Sequence, residues 1–408
     1  MPKDFFPWLH SAIRVKLGDV RILTVNFGSS SLKIRIVDHD DSLLLDDTVL
    51  IDRGTPSADF ALAETALARA LEQGPSVDAV GHRIVHGGTE FIDPILIDTK
   101  ADKRLERLAD LAPLHNPPAL ALIAVSTKLR ADLPNLACFD TSFHANLPEQ
   151  AFTYALPDGW SEKWGLRRFG FHGLSHAWAS RRASQLLGRS VADVRLVTAH
   201  LGSGASLAAV AGGRSVDTTM GFTPLDGLVM ATRPGSIDPG LVLWMIRHSG
   251  LTVEQVDQAL ESKAGLLGLS GISGDLREVL SAADAGSARS KLAYRVLLHR
   301  LCSEIAAMVA ALGGFDGLVF TGGIGEGSAR LRMDACAALK FLGIECDASL
   351  NDKATGDRLI SEPGAPVATA VVSAREDLEI ARQVRAVLST APKGSSRSQE
   401  RRFDEPRI

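Results

Sequence analysis

What the chain has little of narrows its class before any motif is read. Cysteine is scarce: Cys138, Cys302, Cys336 and Cys346 form no CxxC pair and sit among apolar residues. That spacing indicates neither a zinc site nor a disulfide framework, and it fits free buried thiols in a reducing compartment. No stretch approaches the roughly eighteen apolar residues of a membrane span. The first twenty residues, MPKDFFPWLHSAIRVKLGDV, interrupt their apolar positions with Lys, Asp, His and Arg too often to hold a signal-peptide core. A cytoplasmic protein with no membrane partner is expected. Excess charge is missing too, since 44 Lys plus Arg oppose 48 Asp plus Glu for a net charge of −4. A nucleic-acid binder concentrates Lys and Arg on one face, so no nucleic-acid partner is expected. Neither the phosphate-loop pattern GxxxxGK[ST] nor the zinc pattern HExxH occurs.

What is present is one pattern used twice. From Arg21 the chain reads RILTVN, FGSSS, LKIRIV, DHDD, SLLLDDTV, and from Val194 it reads VRLVTAH, LGSGA, SLAAV, AGG, RSVDTT. Each is an antiparallel meander of short strands whose first turn is rich in glycine and serine. Two similar halves imply two similar domains with a cleft between them, which 408 residues can supply. Apolar spacing of three and four predicts helices over 58–71, 117–131, 176–187, 253–262 and 288–312. Asn116 is expected to cap the second of these, with Pro117 at its first position. Apolar runs over 78–85, 136–139, 317–321 and 367–372 read as buried strands, so the fold class is α/β with mixed sheets. A last helix near 375–388 belongs to neither half on periodicity alone.

Three glycine loops, at Gly28 to Ser31, at Gly202 to Ala205 and at Gly322 to Gly327, each follow an apolar strand and offer unobstructed backbone N–H groups. One such loop more often simply turns a corner than binds anything, whereas three together point to a phosphate cradle. His172 and His176 stand four apart and could share a metal, or His176 could cap or pack the following helix. Arg83 and Arg233 flank Gly-rich or apolar runs, where a guanidinium grips carboxylate or phosphate or forms a surface ion pair.

The blocks VNFGSSSLK, GHRIVHGG, LAPLHNP, FDTSFH, RRFGFHGLSH, AHLGSGAS, DTTMGFTPLDGL, TRPGSIDPG, GLLGLSGISGDLR and FTGGIGEGS follow in the order and spacing of the acetate kinase family. The resemblance covers about residues 21–388. It implies the actin-like, ribonuclease H-like fold: two duplicated domains with mixed sheets flanking a nucleotide cleft. Their implied bounds are 21–143 plus 376–391 and 144–375, with an extension at 1–20 and a polar tail at 392–408. It also implies reversible phosphoryl transfer from ATP to acetate, giving acetyl phosphate and ADP, with magnesium or manganese and usually in a homodimer. The halves would close on ATP about hinges near 144–156 and 373–376.

Carried over by position, Arg83, Asp140, His172 and Arg233 resemble the catalytic set, and Asn26 and Glu376 the metal-linked pair. Val85, Leu114, Phe171 and Pro224, with Arg83, fall on the acetate pocket, and His115 on a further active-site histidine. The nucleotide would contact Lys33, His200, Leu201, Gly202, Ser203, Gly204, Asp275, Leu276, Arg277, Gly323, Ile324, Gly325 and Glu326. Ser203 and Gly327 stand where the family pattern has asparagine, and Asp226 where it has glutamate; these touch phosphate contacts and donor preference. A propionate or other short-chain acyl kinase is the near alternative, because one methylene is worth only about 1–3 kcal/mol. A nucleotide-switched binding protein of the same fold is the remote one, and it would have no use for a carboxylate clamp.

Overall fold

The computed structural model describes residues 20–28, 31–51, 56–112 and 115–390. The extension up to residue 19, the polar tail and Leu114 of the implied acetate pocket lie outside the described residues.

Among the described residues, twelve strands make two six-stranded sheets. The first contains β1 (Ile22–Phe27), β2 (Ser31–Val37), β3 (Leu43–Leu50), β4 (Ala79–Ile84), β5 (Ile95–Leu96) and β6 (Asn135–Phe139), in the order β3-β2-β1-β4-β6-β5. The second contains β7 (Arg195–Leu201), β8 (Ala205–Ala211), β9 (Arg214–Thr218), β10 (Gly317–Thr321), β11 (Arg358–Leu359) and β12 (Ala368–Val371). Read from β9, its order β9-β8-β7-β10-β12-β11 repeats the first. Both begin with an antiparallel meander, continue with parallel pairs, and end on a two-residue antiparallel edge strand. The duplication legible in the meanders therefore runs through to the sheet edges.

Central strands are buried on both faces, as continuous apolar runs require, and every residue of β1 and β10 is buried. The helix Pro56–Gln73 covers one face of the first sheet through Ala63, Ala66, Leu67 and Ala70, whose spacing makes one apolar stripe. The unplaced last helix is Glu376–Thr390, and it covers the other face of the first sheet through Leu378, Ile380, Ala381 and Val384. Gly81 permits this approach, since a Cβ there would meet the Ile380 and Val384 side chains at 2.6 and 2.8 Å.

Across the second sheet, Ala288–Leu312 packs on one face and Gly173–Leu186 on the other, the latter through Ala179 and Ala183. Gly173–Leu186 follows the first sheet in the chain yet covers the second, while Glu376–Thr390 follows the second and covers the first. Each half thus closes the other's core. The two exchanged helices touch each other, and Arg181 of one pairs with the fully buried Glu379 of the other.

Two expectations need correction. Asn116 does not cap its helix, which runs Asn116–Leu129 from His115; its amide instead accepts from His86 N–H and donates to the His86 and Leu108 carbonyls. Gly322–Gly327 is a helical turn rather than an open loop. Cys138, Cys336 and Cys346 are buried and Cys302 half-buried, all free. No helix among the described residues is long and apolar enough to cross a membrane.

Candidate active site

The parallel strands of both sheets end at one cavity of about 290 Å³, the edge at which α/β sheets take their ligands. β1 supplies Asn26, β4 supplies Arg83, Asp140 follows β6, and Glu376 opens the last helix. The Arg83 Nε donates to both Asp140 oxygens at 3.0 and 3.1 Å and Nη2 donates at 2.6 Å, while Nη1 donates to Asn26 Oδ1 at 2.9 Å. Asn26 Nδ2 then donates to Glu376 Oε2 at 2.6 Å. One guanidinium is therefore shared between two carboxylates, directly and through an amide, and the surface ion pair considered for it is excluded by its burial. Burial pushes the Asp140 carboxyl up from its ordinary value against the pull of Arg83. Burial acts on Glu376 too, but Arg83, His200 and Asn26 outweigh it and hold that carboxyl below its ordinary value.

His172 has φ 55°, a left-handed conformation shared among described non-glycine residues only by Asp41. The cause is local. Gly173 N–H donates to the Asp140 carbonyl at 3.0 Å, and a Cβ on Gly173 would lie 2.1 Å from that oxygen. The chain is thus pinned to the end of β6 as it enters the helix, and His172 absorbs the turn. Its Nε2 comes beside Arg233: a Cβ on Gly204 would stand 3.1 Å from His172 Nε2 and 2.9 Å from Arg233 Nη2. The His172 and His200 rings stack at 4.4 Å. Burial lowers both, His200 to about 4 and His172 well below its ordinary value, so each is neutral at pH 7. His172 and His176 do not share a metal; both rings bond Ser206 Oγ. Among the described residues no three His, Cys, Asp or Glu side chains gather to hold an ion.

Lys33, His115, Gly202, Ser203, Gly204 and Gly323 also line the cavity. So do Gly28, Ser31, Gly322 and Ala374, of which Ala374 carries no sequence signal. All three glycine segments converge. Val85, Phe171 and Pro224 make its apolar wall, and Arg233 Nη1 donates to the Pro224 carbonyl at 2.8 Å.

Other expected nucleotide contacts lie off this cavity. Leu201 and Ile324 meet in a small apolar pocket behind Gly202. Leu276 is buried in the core, and Asp275 caps its helix and pairs with the exposed Arg277. The Gly325 and Glu326 carbonyls accept from the buried Arg332, and Glu326 Oε1 accepts from Ala374 N–H. Gly327 is not imposed by packing, since a Cβ there would meet nothing within 4 Å. Asp226 lies outside the lining, bonded to Ser236 and Arg168.

A model of the acetokinase family matches residues 56–382. The chain belongs to that family. It is 49% identical over 311 residues to an acetate kinase of a Synechococcus species, covering 76% of this chain and 77% of the relative. Among solved structures, the acetate kinase of Porphyromonas gingivalis is 34% identical with a TM-score of 0.82, covering 90% of this chain and all of that one. A propionate kinase of Francisella tularensis is 32% identical with a TM-score of 0.80, covering 89% of this chain and 98% of that one. This acetokinase family member is accordingly a kinase with the duplicated α/β fold.

Proposed function

We propose that the enzyme transfers the γ-phosphoryl group of ATP directly and reversibly to acetate, giving acetyl phosphate and ADP. The observation that carries this reading is a cavity with three cations, Lys33, Arg83 and Arg233, against two carboxylates, beside a small apolar wall. Acetate is already ionised at neutral pH, so no general base is required. The barrier is the approach of one anion to another. Arg83 and Arg233 offset that repulsion, and His172 donates to the equatorial oxygens, where charge sits in a loose phosphoryl transition state. Asp140 holds the Arg83 fork in place. Val85, Phe171 and Pro224 receive the methyl group and set substrate size.

The backbone N–H groups near Gly28, Gly202 to Gly204 and Gly322 suit nucleotide phosphates, and closure of the halves would bring them onto one ligand. A divalent cation fits the donor set: Glu376 is a half-buried ionised carboxylate oriented by Asn26, and magnesium takes one or two carboxylates plus substrate phosphates. When bound, magnesium or manganese supplies further positive charge to the phosphates.

We also infer a cytoplasmic homodimer. The helix Pro239–His248 buries none of its residues and exposes Leu241, Leu243 and Trp244 near exposed Ile237, Leu251 and Val253. A sedimentation mass of about 43.4 kDa would contradict the dimer.

Trapping acyl phosphate as the hydroxamate, with ATP and acetate, propionate or butyrate, tests the reaction. Acetate is expected to lead. A lead by propionate would favour the second reading, to which the similarity of the Francisella propionate kinase lends weight. No product from any of the three would end both.

A further inference from the structure

The use of His172 depends on whether the nitrogen it offers to the cavity carries hydrogen. A neutral imidazole has one N–H, and the partner of its other nitrogen decides which one. Here Nδ1 of His172 lies 2.9 Å from Ser206 Oγ. The same oxygen lies 2.8 Å from His176 Nε2, and His176 Nδ1 lies 2.7 Å from Thr198 Oγ1. Ser206, His176 and Thr198 are completely buried. Burial and neighbouring cations and rings keep both imidazoles uncharged at pH 7.

Ser206 Oγ, fully buried, bonds these two rings, so its hydrogen goes to one of them and the line of two neutral rings and two hydroxyls admits two orderings. In one, Thr198 donates to His176, His176 to Ser206 and Ser206 to His172, which leaves Nε2–H facing the cavity. In the other every bond is reversed and His172 presents a bare lone pair. The three inner bonds are the same length either way, so the ends decide. At the far end, the reversed ordering leaves the Thr198 hydroxyl only the Ala208 carbonyl at 3.4 Å, long for an O–H···O bond and worth little. At the cavity end, an N–H facing phosphoryl oxygens gains a charge-assisted bond, whereas a lone pair repels them.

We propose that Ser206, His176 and Thr198 are positioning residues that hold His172 as the Nε2–H tautomer, a neutral donor aimed at the phosphoryl group in transit. This rests on the reading of His172 given above. The outer hydroxyl and ring do for His172 what outer hydrogen bonds do for a metal-bound histidine, fixing tautomer and orientation together. His200 has a shorter version of the arrangement, with Nδ1 2.7 Å from Ser175 Oγ.

Nitrogen-15 NMR of the full chain labelled at histidine, with ADP and inorganic phosphate present, is expected to show His172 protonated at Nε2 and bare at Nδ1. Ser206→Ala should mix the tautomers at His172, leave His200 unchanged, and lower kcat about ten- to hundredfold with both KM values within about twofold. His176→Gln, whose amide N–H can replace Nε2–H, should keep most of the turnover. Thr198→Val, nearly isosteric, should fold with a somewhat lower unfolding midpoint, since the buried His176 Nδ1 loses its donor, and should lower kcat about three- to tenfold, which covers the case of a Ser206 variant that fails to fold. Hydrogen on Nδ1 of His172 in the wild-type spectrum, or wild-type kcat in folded Ser206→Ala and Thr198→Val, would overturn the proposal. Wild-type kcat in His172→Ala with the Nε2–H pattern intact in the parent would remove the phosphoryl role and leave the tautomer assignment standing.

Discussion

Arg83 holds two separate obligations in one side chain. It carries a forked bond to the fully buried Asp140 and reaches Glu376 through Asn26, with its own side chain only 10% exposed. From sequence alone, Arg83→Ala would be expected to cost turnover and spare the fold. The structure changes that expectation, because the alanine variant leaves Asp140 fully buried with no counter-charge. Breaking such a pair from one side costs about 3–5 kcal/mol. Arg83→Ala should therefore lose several orders of magnitude in kcat and also unfold at a clearly lower temperature. Arg83→Lys keeps the charge without the fork, so it should recover more of the unfolding midpoint than of kcat. Parallel recovery of both would show that charge alone matters. The residues that stood out in the sequence here, Arg83, Asp140, His172 and Arg233, share a property: each is a chemically distinctive side chain beside a glycine or strand end. Ser206, Ser175 and Ala374 were not legible, because nothing local marks a serine whose partner is a ring on another element.

At the scale of elements, strong periodicity translated directly. Gly317–Thr321, Val253–Ser262 and Ala288–Leu312 occur with the bounds their apolar spacing suggested. The misses came where a tertiary partner outbid local preference. Asn116 has good cap chemistry, yet the buried backbone of His86 and Leu108 claims its amide. Gly322–Gly327 has poor helix propensity, at roughly 1 kcal/mol per glycine relative to alanine. It is wound nonetheless because Arg332, 2% exposed, binds the Gly325 and Glu326 carbonyls at its end. Gly173 offers the sharpest test of how an element places chemistry. Gly173→Ala puts a Cβ against a backbone oxygen that cannot move aside cheaply, so the helix start must shift and carry His172 with it. A kcat loss of about tenfold or more is expected, together with a lower melting temperature. An alanine variant with native kcat would mean that His172 does not need this anchor.

The whole molecule carries neutral histidines in both halves. His82, His86, His144 and His200 are held near 4 by burial, and His172 and His176 are also lowered. Each takes up its proton more readily in the unfolded chain, whose histidines titrate near 6.5. Unfolding therefore binds protons between about pH 6.5 and 4, and stability is complete above that window and lost as pH falls through it. Melting temperatures measured from pH 7.5 down to 4.5 should drop steeply below about 6.5; a flat profile would contradict the neutral assignment. The exchange of closing helices has a consequence for how the chain can be divided. Neither repeat is a self-sufficient piece, since each lacks the helix that seals its own sheet and carries the one that seals its neighbour's. A break at the exposed turn Gly188–Ser190 would leave Gly173–Leu186 with the first sheet and Glu376–Thr390 with the second, giving two polypeptides, each with unsealed apolar surface when made alone. Co-expressed, they should recover soluble, active enzyme by mutual complementation, and separately they should aggregate.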